Sequence, residues 1–292
     1  MFRLILGVAQ EDERVRAVIL NGSRVNPHAP PDIFQDYDVV YVVTDVAPFV
    51  ADRSWLDRFG ERLIMQTPDA MSDPPGSGDP PPGDHSERFA YLMLFRDGTR
   101  IDLTLHPVAR LRDLEPDSLS RLLLDKDGCI APLPPPGDAD HRTEPPTETR
   151  YAECCNEFLW VSTYVAKGLW RRELPYAQHL YHGPVRDMLV LMLRWSIGVR
   201  RGFAVDPGKF GKYFERCLGP EWWARYLGTC AGGAYDDMWR ALLAACDLFR
   251  DAALAVGLHC GYPYPAGDHG RVAGYLRRVR DLPRDAASVF GD

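Results

Sequence analysis

Apolar and polar positions divide the chain into two stretches of different period. In the first, short runs rich in β-branched and aromatic residues alternate with turn signals. Val15 to Leu20, Val39 to Val43, Glu61 to Met65, Arg88 to Phe95 and Thr99 to His106 read as strands. The last two are joined through Arg96-Asp97-Gly98-Thr99, and Asp-Gly is the strongest short hairpin signal. Residues 2–14, Pro48 to Phe59 and Leu111 to Asp125 read as helices. Pro68 to His85, dense in Pro, Gly, Asp and Ser, reads as an exposed loop, either a surface excursion or a substrate lid. After the Pro-Pro-Pro-Gly run of Pro132 to Pro146 the period becomes helical. Helices are expected at 149–172, 184–201, 207–217, 220–228, 234–257 and 269–280, with Pro184, Pro207 and Pro220 at helix starts. The expected fold is α+β: a mixed β-sheet with flanking helices over 1–131, a Pro-rich linker over 132–147, and a helical bundle over 148–292. A cleft between the two domains is the expected binding site.

Chemistry concentrates between Asn21 and Val43. The run Val15 to Leu20 enters a Gly22-Ser23 turn, where small residues let backbone N–H groups approach a phosphate. A loop rich in Pro and Asn then leads to Asp36-Tyr37-Asp38. If Asp36 begins the strand, the period of two puts Asp36 and Asp38 on one face. Two adjacent carboxylates repel unless a cation neutralises them, and hard oxygen ligands suit Mg²⁺ together with substrate phosphates. On a later strand Ile101, Leu103 and Leu105 share one face, while Asp102, Thr104 and His106 share the other. An acid at mid-strand is disfavoured unless something requires it. His106, on the Asp102 face, is expected at the surface, with a supporting place beside the site as the alternative.

The helix expected at 149–172 has an apolar stripe, Cys155, Leu159, Ser162, Ala166 and Leu169, suited to a core. A neighbouring face carries Glu153, Glu157, Trp160, Tyr164, Lys167 and Arg171. One reading is a solvated face with ion pairs spaced i to i+4. The other has Lys167 meeting a nucleotide phosphate and Glu157 with Trp160 meeting a cationic, sugar-like substrate.

Composition narrows the field. Length and a hydrophobic fraction of 46% suit a globular protein with a sizeable core. A formal net charge of -7 argues against general nucleic-acid binding, which needs a basic footprint. Seven scattered cysteines show no Cys-x-x-Cys spacing and are expected as small core residues in a reducing cytoplasm. No run is long enough to span a membrane, and the short apolar start at Phe2 to Ala9 does not read as a signal peptide. The histidines show no zinc-ligand spacing.

The Gly22-Ser23 turn, Asp36-Tyr37-Asp38 and Asp102 together resemble the DNA polymerase beta-like nucleotidyltransferase superfamily. More closely, Ala17 to Asp45 with Arg96 to Pro107 and Cys154 to Arg172 is similar to the aminoglycoside 6-adenylyltransferases, also called streptomycin adenylyltransferases. The resemblance covers most of the chain, the loop at 68–86 being the part without a counterpart. It implies an N-terminal nucleotidyltransferase domain in which Gly22 and Ser23 cradle the triphosphate of ATP, with Arg24 nearby, and Asp36 and Asp38 hold Mg²⁺. Asp102 would share the metal or take the acceptor's proton, with Glu157 as the alternative base. Lys167 and Lys212, or Lys209 beside it, would meet phosphates, and Glu153, Glu157 and Trp160 the aminoglycoside. Two alternatives stand beside this: the same fold acting on a lincosamide or a protein, and a non-catalytic nucleotide-binding module. The intact carboxylate set argues against the second.

Overall fold

A computed structural model of the chain describes residues 1–73, 75–77 and 86–290. Its contacts divide the chain into Met1–Asp140 and His141–Asp292.

In the first unit α1 (Phe2–Glu11) leads into β1 (Val15–Asn21) and then β2 (Tyr37–Val43), followed by α2 (Ala47–Ala51), β3 (Arg62–Gln66), β4 (Phe89–Phe95), β5 (Arg100–Pro107) and β6 (Ser120–Asp125). These strands form one six-stranded sheet in the order β3-β4-β5-β2-β1-β6. β2 and β5 run parallel, and the other pairs are antiparallel. The apolar run Val39 to Val43 within β2 follows from the strand's central place. Val39, Tyr41 and Val43 face a core shared with Ile5 and Val8 of α1, and the Tyr41 hydroxyl donates to the Ile5 carbonyl at 2.6 Å. Val40 and Val42 face the opposite side, under Val108, Leu111 and Leu114. A strand covered on both faces has no polar face to show in its sequence.

Several expected elements are replaced. Leu111–Asp125 is not a helix: Val108–Asp113 forms a 3-10 turn and Ser120–Asp125 is the edge strand β6. Pro116 breaks a helical path, Asp117 accepts the Leu119 N–H at 2.8 Å to turn the chain, and β6 pairs with the open edge of β1. The helix expected over Pro48–Phe59 is split into α2 and a 3-10 segment at Ser54–Phe59, because the Asp52 carboxylate accepts the Ser54 N–H and turns the backbone. Of the loop expected at 68–85, Pro68–Ala70 forms a 3-10 turn, while positions 74 and 78–85 lie outside the described residues.

The second unit contains α3 (Glu148–Trp170), α4 (Leu174–Leu180), α5 (Arg186–Arg201), α6 (Phe214–Leu218), α7 (Pro220–Gly228), α8 (Tyr235–Cys260) and α9 (Ala266–Asp281). Thr147 caps α3 by accepting the Arg150 N–H at 3.2 Å. The expected stripe of α3 is buried, and the stacked rings of Phe158 and Phe249, 3.9 Å apart, join α3 to α8. Pro184 does not start a helix. It sits inside a π-helical turn, Tyr181–Val185, that carries α4 into α5, a turn whose wider bonding tolerates the missing N–H. The helix expected at 207–217 shrinks to a 3-10 turn at Lys209–Gly211 followed by α6, because Gly208, Phe210 and Gly211 all hold positive φ.

The cysteines are free: Cys154, Cys155 and Cys246 are buried as expected, but Cys230 is exposed. Among the described residues no helix is long and apolar enough to cross a membrane.

Phe158→Ala is expected to destabilise the helical unit by about 3–5 kcal/mol, the usual cost of emptying a core aromatic site. Urea denaturation followed by circular dichroism checks it.

Candidate active site

Strand register builds the site. Asp38 of β2 lies opposite Asp102 of β5 on one side and opposite Asn21 of β1 on the other. Asn21, Asp38 and Asp102 thus form one transverse row across three strands. Asp36 lies one residue before β2, not within it as expected from period two, because its carbonyl accepts Arg24 Nε at 2.9 Å instead of joining the ladder. Its carboxylate still reaches the row. Among the described residues, Asp36, Asp38 and Asp102 form the cluster able to hold a metal ion, their nearest oxygens all within 4.8 Å of one another.

The Gly22 turn lies against this row. Gly22 has φ +75, and a Cβ there would come 2.2 Å from Asp38 Oδ2. Only glycine meets both constraints. Its N–H donates to the Leu119 carbonyl at 2.9 Å, so this amide is already engaged and not presented to a phosphate. Ser23 lies in the same 3-10 turn, its carbonyl accepting Gln35 Nε2 at 3.2 Å. Arg24 lies in the same turn. Its guanidinium donates to the carbonyls of Gln35 and Asp36 and stacks 3.6 Å from the Tyr37 ring, clamping the loop's return to the turn.

A cavity of about 380 Å³, lined by Asn21, Gly22, Asp38, Asp102, Arg88 and Thr104, opens over the row. A second, of about 460 Å³, shares Asn21, Arg88 and Thr104 with it and extends to Glu87 and His106. His106 is buried, not a surface residue, and its Nε2 donates to the Arg110 carbonyl at 2.8 Å. The 3-10 turn after β5 folds back over this ring, an approach that strand alternation does not foretell.

Two residues of the site escaped sequence reasoning. Arg100 forms a two-pronged pair with Asp102, at 2.7 and 2.6 Å, and lies 3.7 Å from Asp36. Its signal was present, since positions 100 and 102 share a strand face. Asn21 Oδ1 is buried and without a hydrogen-bond partner at the end of the row, facing a cavity that polar ligand atoms would fill.

The remaining expected residues belong to the second unit. Glu153 and Glu157 are exposed on α3, and Trp160, also exposed, donates its Nε1 hydrogen to Tyr164 Oη at 2.9 Å. Lys167 is half-buried, with Nζ 4.8 Å from the Tyr164 ring centre, and lines a cavity of about 250 Å³ with Trp170 and Arg171. Lys212 is exposed beside the Tyr213 ring, and Lys209 beside Phe210.

A mixed sheet that sets a glycine turn against a row of carboxylates, continued by a helical unit, defines the nucleotidyltransferase class. The sequence family described as streptomycin adenylyltransferase matches residues 1–279. Aminoglycoside 6-adenylyltransferase of Campylobacter jejuni is 38% identical over 281 residues, covering 96% of this chain and 94% of that protein. The enzyme of the same name from Bacillus subtilis (strain 168) is 39% identical over 273 residues, covering 92% and 93%. A crystal structure of an aminoglycoside 6-adenyltransferase from Bacillus subtilis aligns over 97% of this chain and 98% of that one at 35% identity, with a TM-score of 0.47. The chain belongs to the streptomycin adenylyltransferase family.

Burial, with repulsion from Asp36 and Asp102, pushes the Asp38 carboxyl up to about 6, against the pull of Arg100 and Arg24. From roughly pH 4 to 6 the folded protein holds a proton that the unfolded chain has lost. Stability therefore falls as pH rises through that window, and the penalty, up to about 3 kcal/mol, is complete above it. Metal-free Asp38→Asn is accordingly expected to melt above the wild type at pH 7.5, with the gap closing toward pH 4.5. Melting curves at both pH values check this, and a gap independent of pH would rule out an uncompensated Asp38 charge. Gly22→Ala is expected to cost about 1–2 kcal/mol from its positive φ and to lower turnover about tenfold or more by displacing the Asp38 carboxylate. Its melting temperature and rate are to be measured together.

Proposed function

We propose that the protein transfers AMP from ATP to a hydroxyl of an aminoglycoside, with streptomycin as acceptor, releasing pyrophosphate and so conferring resistance in the cytoplasm. The observation that carries this reading is the pairing of Asp38 with Asp102, with Asp36 beside them, against the Gly22 turn. Such a carboxylate set has a clear physical use in handling a nucleotide, and the relatives from Campylobacter jejuni and Bacillus subtilis carry the name aminoglycoside 6-adenylyltransferase.

In the proposed reaction the acceptor oxygen bonds to the α-phosphorus while the bond from that phosphorus to the bridging β-phosphate oxygen breaks. Pyrophosphate leaves with that electron pair. The acceptor's proton passes to a carboxylate, for which Asp102 is the first assignment and Glu157 the second. Asp36, Asp38 and Asp102 suit Mg²⁺ by donor type, by mutual distance and by the repulsion that holds the Asp38 carboxyl up. When bound, the ion supplies positive charge to the phosphate oxygens. Gly22 and Ser23 leave room for the triphosphate because neither carries a bulky side chain. Lys167 and Lys212 contribute point charges to phosphates, and Glu153, Glu157 and Trp160 meet a guanidinium of the acceptor by ion pairing and cation–π contact. The net charge of -7 favours a polycationic acceptor over nucleic acid.

Mass spectrometry of streptomycin incubated with the enzyme, ATP and Mg²⁺ is expected to give an AMP adduct, and Asp36→Asn, Asp38→Asn and Asp102→Asn are each expected to abolish nearly all of it while the fold persists. A lincosamide modified in place of streptomycin would sink the acceptor assignment alone. Near-wild-type turnover in any one variant would remove that residue from the mechanism.

A further inference from the structure

Among the described residues, Arg100 is the cation that the fold directs at the carboxylate row by a two-pronged contact. Its Nε donates to Asp102 Oδ1 at 2.7 Å and its second terminal nitrogen to Asp102 Oδ2 at 2.6 Å. The same guanidinium lies 3.7 Å from Asp36 Oδ2. Both oxygens of Asp102 are thus engaged, on a side chain only 19% exposed, and two of the three carboxylates share one counter-charge. The Arg100 side chain itself is 48% exposed, so an outward path to water is open to it.

Three carboxylates whose oxygens lie within 4.8 Å of one another repel, and a cation beside them relieves that repulsion. Asp38, central in the row, pairs in register with Asp102, while the two-pronged contact of Arg100 goes to Asp102. Asp102, paired, belongs to the compensated end. Arg100 opens β5 one residue past the Asp97-Gly98 turn, and its position two residues before Asp102 fixes both side chains on one face. The fork geometry of a guanidinium matches a carboxylate in a way that an ammonium cannot.

We propose that Arg100 is a built-in competitor for the divalent cation: it holds the carboxylate row together before metal arrives and must release or share Asp102 when metal binds. This rests on the reading of Asp36, Asp38 and Asp102 as the metal site. Arg100 is thereby a positioning residue. It lowers affinity for the free ion, which leaves the site to be filled when metal arrives with nucleotide phosphates that supply further ligands. The guanidinium, freed from Asp102, moves toward water or toward those phosphates.

Mn²⁺ binding to the nucleotide-free full chain tests this by calorimetric titration at fixed pH and ionic strength. Arg100→Gln is expected to bind Mn²⁺ about five- to tenfold more tightly than the wild type, the scale of one partly exposed, two-pronged ion pair. Arg100→Lys keeps the charge but loses the fork, and its affinity is expected to fall between the two. Arg58→Gln, which removes an equal charge from the exposed pair with Glu11 on the same unit, is expected to change affinity less than about twofold. Without metal, Arg100→Gln is expected to melt below the wild type, and saturating Mn²⁺ is expected to raise its melting temperature by more than it raises that of the wild type. An Arg100→Gln affinity equal to or weaker than the wild type, with the Arg100→Lys variant unchanged as well, would overturn the competitor role while leaving the metal site standing. Failure of wild type and variants alike to bind Mn²⁺ would overturn both the metal site and the inference.

Discussion

Everything at this site depends on the parallel pairing of β2 with β5, which sets Asp38 beside Asp102. Like charges placed directly across a strand pair are unfavourable, and burial makes them more so. The surrounding residues each answer that difficulty. Arg100 neutralises the Asp102 end, Arg24 adds a more distant positive charge while clamping the loop, and Gly22 removes the atom that would collide with Asp38. The cost is tolerated because hydrophobic burial beneath the row is extensive: Val39, Tyr41 and Val43 are nearly inaccessible, as are Leu103 and Leu105 beside them.

Sequence periodicity exposed this centre well, for physical reasons that differ from residue to residue. β2 and β5 are long apolar runs interrupted by acids, and an acid on a buried strand has few purposes other than binding or catalysis. Their parallel adjacency was not legible, because register arises from the crossover path between 44 and 99 and not from either strand alone. β6 was misjudged because Leu122, Leu123 and Leu124 fit a helix as well as a strand by local preference, and only the open edge of β1 decides between them. Pro184 misled in the opposite sense. Proline marks a helix start when the backbone there is free, but Tyr181, whose hydroxyl donates to the Ala241 carbonyl at 3.2 Å, anchors the preceding turn and lets the helix pass through.

The helical unit shows a different division between what pattern reveals and what it hides. Its core positions on α3 followed from spacing alone, since a buried stripe recurs every three to four residues. The polar face did not separate in the same way. Trp160, Tyr164 and Lys167 form a connected series, with an indole hydrogen bond followed by a cation over a ring. Glu153 and Glu157 are exposed on the same helix a turn or two earlier.

Asn21 connects the electrostatic problem to selectivity. It ends β1 in register with Asp38, lines the cavities of about 380 and 460 Å³, and buries an oxygen that has no partner there. An unsatisfied buried acceptor costs about 1–3 kcal/mol, which the fold does not spend without a return elsewhere. A carboxylate at that point would add a fourth negative charge to the row, and an apolar side chain would give nothing to hold a donor. A neutral amide supplies polarity without worsening the repulsion around Asp38. Around the row the same cavity carries neutral polar groups at Asn21 and Thr104 and a cation at Arg88, while its further acids, Asp69 and Asp117, come from outside the three strands that form the row.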